Sequence, residues 1–255
     1  MEPFDNGYPL AAAVTPRLQV AGTVDSTNTK LLRDAEDDPA GHPHLSVLVS
    51  TDQRAGRGRQ ERVWTTPPGT ALAVSVLLRV DAVEVRDRGW IPLVAGLAMT
   101  RAVAAQLPGL TTGLKWPNDV LVEEHKISGI LAEVSHADPM AVVVGAGVNT
   151  LMTADQLPVP TATSFAALGR GVDADRLLAD YLTQLRDGIA RLAVGGGPAV
   201  HGEVSRACLT IGRDVTVSLP GGAAARGIAE ELDEQGRLVL DEGTVVSAGD
   251  VVHVR

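Results

Sequence analysis

Residues 70–80 read TALAVSVLLRV, a long Val- and Leu-rich run. Such a run predicts a central strand of a sheet. AVVVGAGVN (141–149) predicts a second buried strand, ending in a glycine-rich turn, and LSVLVST (45–51) a third. Around them WIPLVAGLAMTRAVAAQL (90–107) has helical spacing and high Ala content, and DSTNTKLLRDAE (25–36) reads as a helix start. There Asp25, Ser26 or Thr27 can cap the first free amides, while Leu31, Leu32 and Ala35 give a buried stripe. SFAALG and residues 173–192 also read as helices, and 113–135 as two strands around a turn at Glu123–His125. Residues 1–20, with Pro3, Pro9 and Pro16, read as irregular, VGGGP (194–198) as a flexible stretch, and a last helix ends near Cys208.

From Ile211 the texture changes to short alternating strands separated by PGG, DEQG, DEG and AGD turns, the pattern of a small all-β barrel of about 45 residues. The fold class is therefore α+β: a domain over 1–208 with a mixed sheet, and a C-terminal β domain over 209–255. With 255 residues, 45% of them hydrophobic, the chain is long enough for one good core. Aromatics make up only 3%, so Val, Leu and Ala must fill it.

A formal net charge of −9 argues against a general nucleic-acid or acidic-membrane binder, which needs a broad basic face. The single cysteine, Cys208, cannot form an internal disulfide, which fits a reducing compartment. MEPFDNGYPL lacks the basic-then-apolar order of a signal peptide, and no run of about 18 apolar residues occurs. A cytoplasmic protein is expected.

Against that acidity, TDQRAGRGRQERVW (51–64) gathers four arginines and two glycines. Glycines at 56 and 58 let the backbone approach a ligand closely, and their amides with the guanidiniums of Arg57 and Arg59 can converge on one anion. A solvated connecting loop is the plainer alternative, but the segment lies between apolar strands and should be ordered. It is not a Walker A loop, since no GK[ST] follows. In KWPNDV (115–120), Pro117 pushes Trp116 toward an extended conformation and leaves Asn118 and Asp119 at a turn. Asp119 could ligate Mg²⁺ or accept a proton, and Asn118 could read a base, although Pro-Asn-Asp is ordinary turn chemistry too. The chain has 19 arginines but only three lysines, Lys30, Lys115 and Lys126, and the last two lie close together. Lys126, in HKISGILAE, could neutralise a phosphate or carboxylate as a compact point charge, with Gly129 leaving space beside it. Gly145, Gly147 and Asn149 permit close ligand approach or make a turn. The six histidines show no zinc spacing, and Cys208 has no catalytic context.

In order, DSTN, TDQRAGRGR, KWPNDV, KISGILAE and GAGVN closely resemble the biotin protein ligase family. The resemblance runs from about residue 20 into the C-terminal β domain. It implies a catalytic domain of the class II synthetase-like, biotin-lipoyl ligase type and an SH3-like cap. It also implies the chemistry: biotin and ATP give biotinyl-5′-AMP and pyrophosphate, and the activated biotin acylates one lysine of a biotin carboxyl carrier protein domain of an acyl-CoA or pyruvate carboxylase. A carboxylate must then attack an anionic α-phosphate. Two unit charges about 4 Å apart repel by about 1 kcal/mol in water and several-fold more in a protein site, so preorganised cations are needed.

By this resemblance Ser26, Thr27, Asn28 and Gln53 would read the biotin ureido ring. Gly58, Arg59 and Gln60 would lie along biotin, with Gly56 and Gly129 giving it room. Arg57 and Arg62 would order the loop over biotin and the nucleotide, and Trp64 would wall the site near biotin and adenine. Lys126 would bridge the carboxylate and the α-phosphate, with Arg59 and Asp119 as the other catalytic residues. Asn118 and Asn149 would serve the nucleotide, Asp119 would orient Mg²⁺ or the incoming lysine, and Lys115 would support the site. RQER stands where some relatives have RRGR, so Gln60 and Glu61 replace Arg and Gly at the loop's closure. Only about 25 residues precede the first motif, too few for the helix-turn-helix domain of some relatives, so no DNA binding is expected. The partners are the carrier domain and no membrane, and the chain is a monomer or weak homodimer. Rival readings are a lipoate or octanoate ligase, a non-catalytic sensor of biotin or its adenylate, and an RNA binder using the arginine loop. The acidic total and the want of aromatic stacking residues oppose the last.

Overall fold

The computed structural model describes residues 7–60, 62–219 and 222–254. Pro3, most of the N-terminal segment read for a signal peptide, Glu61 and the first two residues of the PGG turn lie outside them. In chain order the elements are α1 (Pro9–Ala12), β1 (Arg17–Val20), β2 (Thr23–Val24), α2 (Thr27–Asp37), β3 (Ser46–Ser50), β4 (Asp52–Gln53), β5 (Gly56–Arg57), β6 (Val63–Trp64), β7 (Ala71–Arg79), α3 (Ile91–Gln106), β8 (Thr112–Lys115), β9 (Asp119–Val122), β10 (His125–Val134), β11 (Ala141–Asn149), α4 (Ala174–Gly195), α5 (Pro198–Ala207), β12 (Asp214–Ser218), β13 (Ala224–Leu232), β14 (Leu238–Leu240), β15 (Val245–Val246) and β16 (Asp250–His253).

The two long apolar runs become β7 and β11, which pair antiparallel over nine residues in the middle of a seven-stranded sheet, order β1-β3-β7-β11-β10-β9-β8. Only β1 and β3 are parallel, so the sheet is mixed. Side chains alternate faces along each strand. One face, with Val74 and Val76 of β7 and Val142 and Val144 of β11, joins α3 and α4 in the main core. The other face meets α2 through Leu31, Ala35, Leu48, Leu77 and Val143 over part of its length. The rest of that face is left for a cleft.

The second sheet, order β15-β14-β13-β12-β16, is antiparallel throughout and is the expected C-terminal β domain. It docks on the first through indole donors: Trp90 Nε1 donates to Glu234 O at 2.9 Å and Trp116 Nε1 to Gly236 O at 3.0 Å. Among the described residues no helix is long and apolar enough to cross a membrane.

Several local expectations are corrected. Part of the supposedly irregular N-terminal segment forms α1 and an edge strand, β1, too short to show a period. SFAALG is a turn, because Ser164 accepts from Ala167 N and Ala166 N donates to Thr150 O. Residues 113–135 hold three strands rather than two, since Trp116–Asn118 also make a turn. Gly145 and Gly147 lie inside β11, not in a turn after it. VGGGP is packed rather than loose. Helix α4 runs through Gly195, and a Cβ on Gly197 would sit 2.5 Å from Trp90 Nε1 and 2.7 Å from Glu234 O.

Candidate functional site

The floor of the cleft is a single row across the sheet. Strand register places Ser50, Ala73, Gly147, Gly129, Asp119 and Lys115 opposite one another on β3, β7, β11, β10, β9 and β8. Three consecutive positions of that row, at 73, 147 and 129, carry a methyl group or nothing. Above them lies a cleft that opens to solvent at its mouth.

The Gly/Arg segment forms the roof. It is an ordered two-stranded ribbon in which Gly56 faces Trp64 and Arg57 faces Val63. Gly58 N donates to Arg62 O at 2.7 Å, and Gln60 takes the left-handed conformation at the tip (φ 54°). The Trp64 indole lies on the glycine floor. A Cβ on Gly147 would come within 2.6 Å of Trp64 Cε2, and one on Gly129 within 3.3 Å of Trp64 Cζ3. Gly56 is required behind the ribbon, where a Cβ would meet Trp64 O at 2.4 Å.

At one end, Ser26 caps α2 and starts it against the sheet, so Thr27 and Asn28 enter the cleft from the first turn. Their polar atoms are largely committed inside the protein. Gln53 Oε1 accepts from Thr27 N at 2.8 Å and from Thr27 Oγ1 at 3.0 Å. Ser75 Oγ bonds Thr27 Oγ1 at 2.8 Å and Asn28 Oδ1 at 2.5 Å. Asn28 Nδ2 donates to Glu133 Oε2 at 2.8 Å.

The other end is charged. Lys126, at a bulge in β10, holds Asp119 Oδ1 at 2.6 Å, and its Nζ lies 5.4 Å from the Trp64 ring centre. Arg62 pairs with Asp250 of the C-terminal domain, while Arg57 pairs with Glu133 back at the Asn28 end. Arg59 differs: it donates to neutral oxygens, Asn118 Oδ1 at 3.1 Å and Gly249 O at 3.3 Å. Burial pushes the Arg59 guanidinium below its ordinary range, while Asp250 and Asp119 pull it back. Burial likewise lowers the Lys115 ammonium, opposed by Asp119 and reinforced by Lys126.

Of the residues the sequence singles out, Ser26, Thr27, Asn28, Gln53, Arg57, Gly58, Arg59, Arg62, Trp64, Asn118, Asp119, Lys126 and Gly129 line one cleft. Three do not. Gly56 sits behind the ribbon, and Gln60 is exposed at its tip. Asn149, expected to serve a nucleotide, is buried, with its Nδ2 committed to Thr163 O at 2.9 Å. There it holds the segment that brackets Lys126, since Lys126 N donates to Thr161 O and Thr163 N to Lys126 O, both at 2.8 Å. Asp119, considered as an Mg²⁺ ligand, is paired with Lys126. Among the described residues no group of three His, Cys, Asp or Glu side chains converges to hold a metal.

Four residues escaped sequence reasoning: Ala73, Ser75, Glu133 and Asp250. Ser75 is the one polar residue within 71–78, and Glu133 stands four residues after Gly129, on the same strand face. Asp250 carries no local signal, because it reaches the site from a separate sheet.

Comparison with known proteins agrees with this geometry. Residues 20–149 match the biotin/lipoate A/B protein ligase family, and 210–254 match the biotin protein ligase C terminal domain. The biotin–[acetyl-CoA-carboxylase] ligase of Mycobacterium tuberculosis is 42% identical over 94% of this chain and 90% of its own. The bifunctional ligase/repressor BirA of Escherichia coli is 28% identical over 89% of this chain and 70% of its own. Among solved structures, the biotin protein ligase from Aquifex aeolicus in complex with biotin and ATP superposes with a TM-score of 0.78 at 26% identity, covering 94% of this chain and 99% of that one.

Proposed function

Because this chain is a member of the biotin protein ligase family, we propose that its cleft joins biotin to AMP and then passes the biotin to a lysine of a biotin carboxyl carrier domain. The observation that carries this reading is the arrangement of Lys126, Arg59 and Asn118 beside a floor stripped of side chains. The fused rings of biotin would lie against the Trp64 indole, which itself covers Gly147 and Gly129, with Ala73 beside them. Its ureido edge would face Thr27, Asn28 and Gln53, and its carboxylate would face Lys126.

In the first step a carboxylate oxygen attacks the α-phosphorus of ATP, and the bond to pyrophosphate breaks. Lys126 and Arg59 offset the repulsion between the two anions, and their positions are set before the reaction begins. Mg²⁺ would arrive on the ATP phosphates as part of the substrate. In the second step the carrier lysine, having lost a proton, attacks the acyl carbon, and AMP leaves with the bonding pair. Asp119 is the carboxylate near enough to orient that amine. Residues 1–208 would carry this chemistry, and 209–255 would act as a cap whose Asp250 and Gly249 steady the arginine ribbon. A cytoplasmic location, where carboxylases and ATP coexist, is part of the same proposal.

The test is pyrophosphate release from Mg·ATP with biotin, with lipoate or with neither, followed by addition of a carrier domain. Biotin-dependent release with a mass gain on the carrier is expected. Lipoate-dependent release would move the substrate within the same chemistry. Tight biotin binding without release would overturn catalysis in favour of a sensor.

A further inference from the structure

We propose that Glu133, near the end of β10, is a positioning residue that couples recognition of the ligand ring to closure of the arginine ribbon. Its carboxylate bridges two elements of the cleft. Oε2 accepts from Asn28 Nδ2 at 2.8 Å, on the first turn of α2. The same oxygen accepts from Arg57 Nη2 at 3.0 Å, and Oε1 lies 2.9 Å from that nitrogen, on the ribbon. Asn28 is held from its other side by Ser75 Oγ at 2.5 Å, from a fully buried serine, so the orientation of its amide is fixed at both ends. Loss of Glu133 would leave Asn28 Nδ2 with only the Leu131 carbonyl at 3.2 Å. It would also free Arg57, leaving the ribbon held by Arg59 at Asn118 and Gly249 and by Arg62 at Asp250.

The consequence is two-way. When a ligand presses on Asn28, Glu133 carries the displacement to Arg57. When the ribbon lifts, the amide that faces the ligand loses its anchor. One carboxylate thus ties the amide that faces the ligand to the ribbon that roofs the cleft. A neutral glutamine at 133 would keep an acceptor for Asn28 and lose the ionic tie to Arg57, so the two halves of the coupling are separable.

This inference rests on reading the cleft as a ligase site, and its test separates the two. Wild-type pyrophosphate release with biotin checks the ligase reading. Tryptic nicking of the ligand-free protein at Arg57, Arg59 and Arg62 checks the tether without reference to activity. For Glu133→Ala, nicking is expected to be about tenfold faster than in wild type at an unchanged melting temperature. KM for biotin should rise about tenfold, with kcat at saturating biotin within about threefold of wild type. Glu133→Gln should recover most of the KM while the ribbon stays open to trypsin. Nicking and KM within twofold of wild type in both variants would overturn the proposal, as would Glu133→Gln nicked at the wild-type rate with Glu133→Ala fast.

Discussion

Replacing Lys126 by alanine removes one positive charge from the cleft and almost nothing from the fold. Its partner Asp119 is 2.6 Å away, but the two side chains are 34% and 22% exposed. Partly solvated pairs of this kind contribute about 0–1 kcal/mol to stability. A chain of this size loses about 2–4 °C of melting temperature per kcal/mol, so the variant should melt within about 4 °C of wild type. The effect on the reaction is larger. A cation about 4 Å from a reacting anion contributes about 4 kcal/mol at an effective dielectric near 20. At about 1.4 kcal/mol per tenfold, that is a loss of about a thousandfold in adenylation rate. Part of the loss comes from Asp119, left bare to repel the phosphate. Asp119→Asn added to Lys126→Ala should therefore recover roughly tenfold. Biotin-dependent ATP–pyrophosphate exchange measures both variants. A single variant within about tenfold of wild type, or a double variant worse than the single, would refute the electrostatic argument.

Other consequences follow from the same geometry. Gly147→Ala would bring a Cβ to 2.6 Å from Trp64, where carbon atoms prefer about 3.5–4.0 Å. The indole must retreat into the cleft at a cost of about 1–3 kcal/mol, and KM for biotin should rise at least about tenfold; an unchanged KM would mean that the rings do not lie against the indole. Asp250→Ala frees Arg62 from the C-terminal domain and should shorten retention of the adenylate on gel filtration without changing the melting temperature by more than a few degrees. His44 Nδ1 accepts from Arg79 N at 3.0 Å, and burial with Arg79 holds the imidazole below its usual pKa. His253 is lowered by burial and Lys115. The unfolded chain then binds more protons below about pH 6.5, so stability is full above that pH and is lost as the pH falls through the lowered values. Urea unfolding at pH 7.5 and at 5.5 should show the loss, and His44→Gln should reduce it.

The sequence was most informative where function presses residues into one short segment. DSTN, the arginine ribbon, KWPND and KISG each contribute directly to the cleft, and a reader of the chain can find them in order. It was silent where the site is made by distant pairings. Asp250 meets Arg62 across 188 positions, and no local pattern around it differs from an ordinary turn acid. The partner of Asn149 was not legible either, because a strand-end asparagine looks alike whether its amide faces a ligand or, as here, a neighbouring carbonyl. Strand β1 was hidden by its length, and SFAALG by side-chain-to-backbone bonds that compete with a helix only once the loop beside it is in place.

The row across the sheet has a thermodynamic meaning as well as a steric one. At Gly147 and Gly129 the strands omit side chains that other central strands supply, and the Trp64 indole takes their place against the sheet. A ligand ring stacked on that indole would extend the same apolar layer. Folding and ligand binding would then draw on one contact. Ligand bound only by the folded form raises stability by RT ln(1 + [L]/Kd), about 2.7 kcal/mol at a hundredfold excess over Kd. A ligand held against Trp64 would in this sense add to the core rather than merely touch its surface.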